Sequence, residues 1–319
     1  MTDQTFDQYP EGLWVTAVQA ATVWTSPSSP RAIDQPGISN PADIDNWLRQ
    51  LTHQEAVALS DDNRIQTQTL YGEAVMVTET HADWAHVVVP AQPSVKDERG
   101  YPGWIPLRQL TNVAKRDWHR SKSAAVIADR VWLENDNGEQ TLELSFMTIL
   151  PVAEEEKSRV QVLTPHGRRF LPRETVRVFS SDEGLSQQTG QQLLTDGRRF
   201  LGLGYFWGGM SSFGYDCSGL TYALHQASGY QIPRDARDQA QKGKPISYNA
   251  LQPGDLLFFA ADTGSGPISH VGLYDCDGQM LHSPQSGRGI ERIKLAGTSY
   301  EDRLCAARRY WRSEEERIS

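Results

Sequence analysis

Two β-rich domains followed by an α+β domain is the fold class the sequence predicts, on three observations. Strand-like runs dense in β-branched and aromatic residues recur up to about Ser181. Two of these β regions end on the same aromatic–aliphatic–proline triplet, Trp104-Ile105-Pro106 and Phe170-Leu171-Pro172. Beyond Glu183 the pattern changes to helix candidates followed by strand candidates, which is α+β. The expected domains are therefore 12–114, 115–182 and 183–319.

In the first domain the strand candidates are Leu13–Val18, Ala74–Thr78 and Trp84–Val89. One helical insertion interrupts them. Asn40 as cap, Pro41 at the first helical position and Asp43 in the first turn predict its start. Ile44, Trp47, Leu48 and Leu51 then fall on one face. The second domain offers Ala125–Ile127, Leu142–Phe146 and Arg159–Leu163, and the shared triplet suggests that the two β regions are a diverged repeat. Both have the look of small β-barrels of the bacterial SH3-like kind. In the third domain, Gln191–Leu201 and Ser218–Gln226 read as helices, the second closed by Gly229. Strands at Asp255–Phe259, His270–Tyr274 and Gln279–Ser283 follow a turn at Pro253-Gly254.

Composition excludes several functions. With 319 residues, 38 % apolar and 22 % charged, the chain has the make-up of an ordinary folded protein of two or three domains. Its 31 basic and 40 acidic residues give a net charge of −9, which disfavours nucleic acid and, less strongly, an anionic wall polymer. No apolar run reaches the length of a membrane span, so no membrane partner is expected. Residues 1–10 are acidic and lack the apolar stretch of a signal peptide, which makes the cytoplasm the expected compartment; export with the signal removed is the alternative. Three cysteines, at 217, 276 and 305, form no CxxC pair, so neither a zinc site nor a disulfide framework is expected, nor any other metal or cofactor.

The chemistry concentrates around Cys217. This residue stands where a Gly-rich segment meets a predicted helix, and the N–H groups and dipole of a helix start lower a thiol pKa towards the nucleophilic thiolate. The plain alternative is a buried, inert cysteine. A base is available in His270, which opens one strand, and His282 lies in the next. The turn Asp275-Cys276-Asp277-Gly278 would join those strands as a hairpin and bring the rings together. Nucleophile, base and a group that orients the base are the three roles of a catalytic triad. Cys276, Cys305 and His225 carry no motif and read as structural.

At this point a resemblance enters. Tyr205-Phe206-Trp207-Gly208-Gly209, Asp216-Cys217-Ser218-Gly219, Pro253-Gly254-Asp255-Leu256, Ser269-His270-Val271-Gly272 and the later His282 together resemble NlpC-type cysteine peptidases, in order and spacing, through nearly all of 186–312. The resemblance implies a papain-like core, with a cysteine-bearing helix packed on an antiparallel sheet that carries the histidines. It implies cleavage of amide bonds in cell-wall peptides, with Cys217 as nucleophile, His270 as base, His282 as orienting group and Tyr205 supporting the oxyanion beside the Cys217 backbone N–H.

Two SH3-like modules ahead of such a peptidase resemble the γ-D-glutamyl-L-diamino acid endopeptidases that recycle murein peptides. In that group the first SH3-like domain closes one end of the groove and recognises the free amine of L-Ala-γ-D-Glu-L-diamino acid peptides. The matching residues are Glu73, in Leu70-Tyr71-Gly72-Glu73, and Tyr101, in Gly100-Tyr101-Pro102-Gly103-Trp104. Asp216, Ser218, Arg234 and Asp235 match substrate-contacting positions, whereas Ala236 stands where a serine is common. The expected partner is thus a small murein peptide with a free N-terminal L-Ala, handled by a monomer. Two other readings compete: a wall-binding scaffold with a dead peptidase domain, and an amidase or acyltransferase on the same core. Intact Cys217, His270 and His282 oppose the first, and the mean hydropathy of −0.53 opposes a lipid-handling enzyme.

Overall fold

The computed structural model describes residues 12–313 and Glu316; the N-terminal segment read above for a signal lies outside them. The chain divides into two compact units. The first comprises residues up to Ala91, Lys96–Gly184 and Ser211–Phe213, and the second comprises Gln92–Val95, Leu185–Met210 and Gly214 onward.

The first unit holds two seven-stranded sheets. In sheet order, the first runs Ile65–Leu70, Ala20–Trp24, Tyr101–Pro106, Trp84–Val89, Ala74–His81, Leu13–Thr16 and Leu110–Val113. The second runs Gln140–Ser145, Arg130–Glu134, Gly167–Pro172, Arg159–Thr164, Ile149–Glu155, Lys122–Val126 and Val176–Ser180. With each sheet's strands numbered along the chain, both follow the order three, two, six, five, four, one, seven. The repeat suggested by a triplet is therefore a repeat of topology. Each triplet closes the sixth strand of its sheet, and a single 3-10 turn follows, Leu107–Gln109 or Arg173–Thr175.

The expected barrels are corrected to open sheets. Bulges at Val77/Glu79 and Val152/Glu154 sharpen the local bend. The last strand of the first sheet, however, has four residues, all spent on pairing with Leu13–Thr16, and among the described residues no ladder joins the two outer strands. The second sheet buries Val126, Val131, Leu133, Leu144, Leu150, Val160, Val162 and Leu171 in one core, joined by Tyr71.

The helical insertion starts later than its sequence signals indicate. The helix is Ile44–Gln50, and Asp43, not Asn40, is its cap, with Oδ1 accepting from the Asn46 N–H at 3.1 Å. Ile44 and Trp47 are its buried face. A second helix, His53–Asp61, begins on the capping box of Thr52 and Glu55.

The second unit is α+β, as predicted. Its antiparallel sheet runs Lys244–Pro245, Leu304–Arg309, Leu256–Ala260, Ile268–Tyr274, Gln279–His282 and Glu291–Lys294. The helix Cys217–Ala227 packs on the strand Ile268–Tyr274, with Gly190–Arg198 beside it. Pro253-Gly254-Asp255 has a packing role. The Asp255 carboxylate, fully buried, accepts two bonds of 2.7 Å from Arg309 and one of 2.9 Å from the Gln252 N–H, which anchors the start of the central strand.

Candidate active site

The start of the Cys217 helix is built by its cap. Asp216 has extended backbone, and its Oδ1 accepts from the Gly219 N–H at 2.6 Å. Oδ2 accepts from the Gly208 N–H at 2.9 Å and from Arg234 at 2.8 Å, and the same guanidinium donates to Ser218 Oγ at 2.8 Å. Arg234 is 1 % exposed. A buried cation so held must keep its carboxylate, since an unpaired charge there is costly. The glycines of the motif allow close approach: a methyl on Gly219 would stand 2.0 Å from the Gly209 carbonyl oxygen, and one on Gly209 would stand 2.2 Å from that of Gly214. The result is a fixed first helical turn with Cys217 as its first residue.

The thiol differs from the sequence expectation. Burial, then the neighbouring Asp216 carboxylate, push the Cys217 pKa up to about 12. The positive end of the helix is already occupied by the Asp216 side chain, so the dipole cannot offset the loss of water around sulfur. The backbone N–H groups of Val271 and Ser218 and the charge of Arg234 act the other way. Burial also holds His270 well below the usual imidazole range, with His282 and Arg303 adding to the effect. Burial thus disfavours the charged form of both groups, so a thiolate here calls for a base to take its proton.

The two histidines meet as the hairpin predicts. Leu273 pairs with Leu281 and Tyr274 with Met280, which sets His270 and His282 on a diagonal across the strands. Nε2 of His270 lies 2.8 Å from Nδ1 of His282, with the ring planes at 81°. Gly272 makes room: a Cβ there would lie 3.1 Å from that of His282. With Nε2 of His270 engaged by His282, Nδ1 is the other nitrogen of the ring. Tyr300, which carries no sequence signal, packs its ring 5.2 Å from His270 and 5.0 Å from His282. Tyr205 lies near enough for the charge of Cys217 to bear on it; burial, above all, keeps its hydroxyl protonated and thus a donor.

The remaining candidates separate. Asp216, Ser218 and Arg234 bond to one another, while Asp235 precedes the helix Ala236–Gln241 and is half-buried. In the first unit, Glu73 closes the turn before Ala74–His81, with Oε2 accepting from the Leu70 N–H at 2.8 Å. Tyr101 is buried at the start of its strand, and Lys96 donates to its hydroxyl with the ammonium 4.3 Å from the ring centre. His225 is buried, its Nδ1 2.7 Å from the Thr221 carbonyl oxygen, and all three cysteines are free.

The sequence matches the NlpC/P60 family over residues 202–309, the YKFC SH3b2 domain over 126–179 and the bacterial dipeptidyl-peptidase Sh3 domain over 58–110. A γ-D-glutamyl-L-lysine dipeptidyl-peptidase of Bacillus subtilis is 44 % identical over 289 residues, spanning 91 % of this chain and 96 % of that one. One from Bacillus cereus is 37 % identical over 299 residues, 92 % of this chain and 89 % of the other. The crystal structure of an NlpC/P60 family protein from Bacillus cereus superposes with a TM-score of 0.89 at 36 % identity, over 94 % of this chain and all of that one. With two SH3b-like domains ahead of an α+β domain whose Cys217 helix packs on the strand of His270, the chain belongs to the NlpC/P60 family of cysteine peptidases.

Proposed function

We propose that the protein hydrolyses the γ-D-Glu–L-diamino acid amide bond of small murein peptides that carry a free N-terminal L-Ala. The observation that carries the chemistry is the His270–His282 contact of 2.8 Å on the strand against which the Cys217 helix packs. In this reading His270 Nδ1 takes the thiol proton as sulfur attacks the amide carbon, then returns it to the leaving amine. The oxyanion meets the Cys217 backbone N–H and the Tyr205 hydroxyl. The hydrogen bonds of Asp216, Ser218 and Arg234 favour an internal role, a frame for the helix start.

The substrate class is supported by the relatives across nine-tenths of the chain, whose name specifies γ-D-glutamyl-L-lysine and release of a dipeptide. An enzyme that counts two residues from an end needs to recognise that end, and a carboxylate suits an ammonium group. We assign that contact to Glu73, with Tyr101 beside it. Small soluble peptides as substrates fit a recycling role in the cytoplasm and a chain that works as a monomer.

Acetylating the amine removes its charge and leaves a partly desolvated carboxylate unpaired, at a cost on the order of 2–5 kcal/mol. The N-acetylated tripeptide L-Ala-γ-D-Glu-L-Lys is thus expected to lose about 30- to 3000-fold in kcat/KM relative to the free peptide. Glu73→Ala should abolish that preference by slowing the free peptide, and Cys217→Ala should abolish hydrolysis of both. Equal wild-type rates on the two peptides would overturn recognition of the amine.

A further inference from the structure

Hydrogen-bond accounting for the two histidines leaves a pair of buried atoms facing each other. Among the described residues, His282 Nε2 and Glu291 Oε1 are both buried, both without a hydrogen-bond partner, and 3.3 Å apart. The register puts them there, since His282 and Glu291 are opposed across the last two strands of the sheet. The other oxygen, Oε2, is held by Arg288 at 2.6 Å, so the carboxylate is aimed.

Proton positions follow from the roles. If His270 is to accept the thiol proton at Nδ1, its Nε2 must carry hydrogen and donate to His282 Nδ1. Neutral His282 then bears its single hydrogen on Nε2, the atom facing Glu291. We propose that Glu291 is a positioning residue for the peptidase: its carboxylate fixes the tautomer of His282 and stabilises the imidazolium that forms when His270 takes the Cys217 proton. The proton moves only between sulfur, His270 Nδ1 and the leaving amine.

The other groups facing the pair make such a carboxylate useful. Arg303, on the helix Ser299–Arg303, bears on His270, and Arg288 bears on His282, and both disfavour a cationic imidazole. The Tyr300 ring lies against both histidines, the Phe259 ring lies 5.8 Å from that of His270, and the charge of Cys217 bears on Tyr205 and Tyr300. Glu291 neutralises Arg288 directly and answers the charge on the ring it faces.

This inference rests on Cys217 and His270 as the reacting pair, and its test separates the two. The rate of Cys217 alkylation by iodoacetamide at pH 7 reports the thiolate formed by transfer to His270, with no substrate involved. An opposite charge in direct contact shifts a pKa by one to three units; acting through His282, about half to one unit is expected, and each unit is tenfold. Alkylation should therefore fall about three- to tenfold in Glu291→Gln, which keeps shape and acceptor but not charge, and further in Glu291→Ala. With L-Ala-γ-D-Glu-L-Lys, kcat should fall in the same order while KM stays within about twofold. If the alanine variant does not fold, the glutamine variant decides alone. Wild-type alkylation and turnover in Glu291→Gln would overturn the role of the carboxylate. A wild type in which Cys217 reacts no faster than Cys276 would overturn the thiol–imidazole pair, and the Glu291 role with it.

Discussion

Burial is the residue-scale force that shapes this site. It raises the Cys217 thiol and lowers His270, and it acts on the histidines with consequences for the whole fold. His225 and His282 are both held down to about 4, largely by loss of water around the ring. An unfolded histidine titrates near 6.5, so between about 6.5 and 4 the unfolded chain binds more protons than the folded one. Stability then rises with pH through that window and is lost as pH falls through it, by up to about 3 kcal/mol for His225, whose ring is wholly buried. The urea midpoint is expected to drop between pH 7 and pH 4.5, and His225→Gln should flatten the slope. A midpoint that does not move over this range would refute the account. The hairpin reading set His282 apart from His225, but the burial of the two rings was not legible in the sequence.

At the scale of elements, the sequence was readable where one local rule decides and opaque where packing does. The helix from Cys217 and the hairpin that joins the histidines follow from local signals, a Gly-rich segment running into a helix that Gly229 closes, and a turn cluster. The insertion helix was misplaced because Asn40 and Asp43 both satisfy the capping rule, and only the bond to the Asn46 N–H selects Asp43. Glu291–Lys294 went unread as a strand, although its alternation of Glu291, Arg292, Ile293 and Lys294 suits an edge, and Glu291 was missed with it. The glycine after the Cys217-Ser218 pair is a packing requirement that spacing alone does not explain. Because a methyl there would stand 2.0 Å from a backbone oxygen, Gly219→Ala must displace the first helical turn. A misplacement of about 1 Å costs on the order of 10²-fold in rate. The variant is expected to lose about that in kcat, and alkylation at Cys217 should slow with it. Near-normal turnover would mean that the helix start is not held by this contact.

For the whole molecule, three matched residues in each half proved to mark an identical strand order in two sheets, while openness of those sheets had no sequence signal, because closure depends on which outer strands find partners. Equally invisible was the way each compact unit draws a short segment from elsewhere in the chain. Gln92–Val95 belongs with the peptidase unit, where the Pro93 carbonyl oxygen accepts from the Arg234 N–H at 3.0 Å and the Val95 N–H donates to Asp238 at 3.1 Å. Arg234 and Asp238 are both buried, so without residues 92–95 a backbone N–H and a carboxylate oxygen lose these partners. Each such loss costs about 1–3 kcal/mol, and Arg234 also holds the Asp216 cap. Residues 185–319 expressed alone are therefore expected to unfold at lower urea than the same unit in the full chain, by about 2–6 kcal/mol, with weaker Cys217 alkylation in the folded fraction. Asp238→Ala in the full chain should reproduce part of that loss, because it removes the acceptor on the peptidase side while leaving the segment in place. An excised domain as stable and as reactive as the full chain would show that the peptidase unit is complete without its borrowed segment.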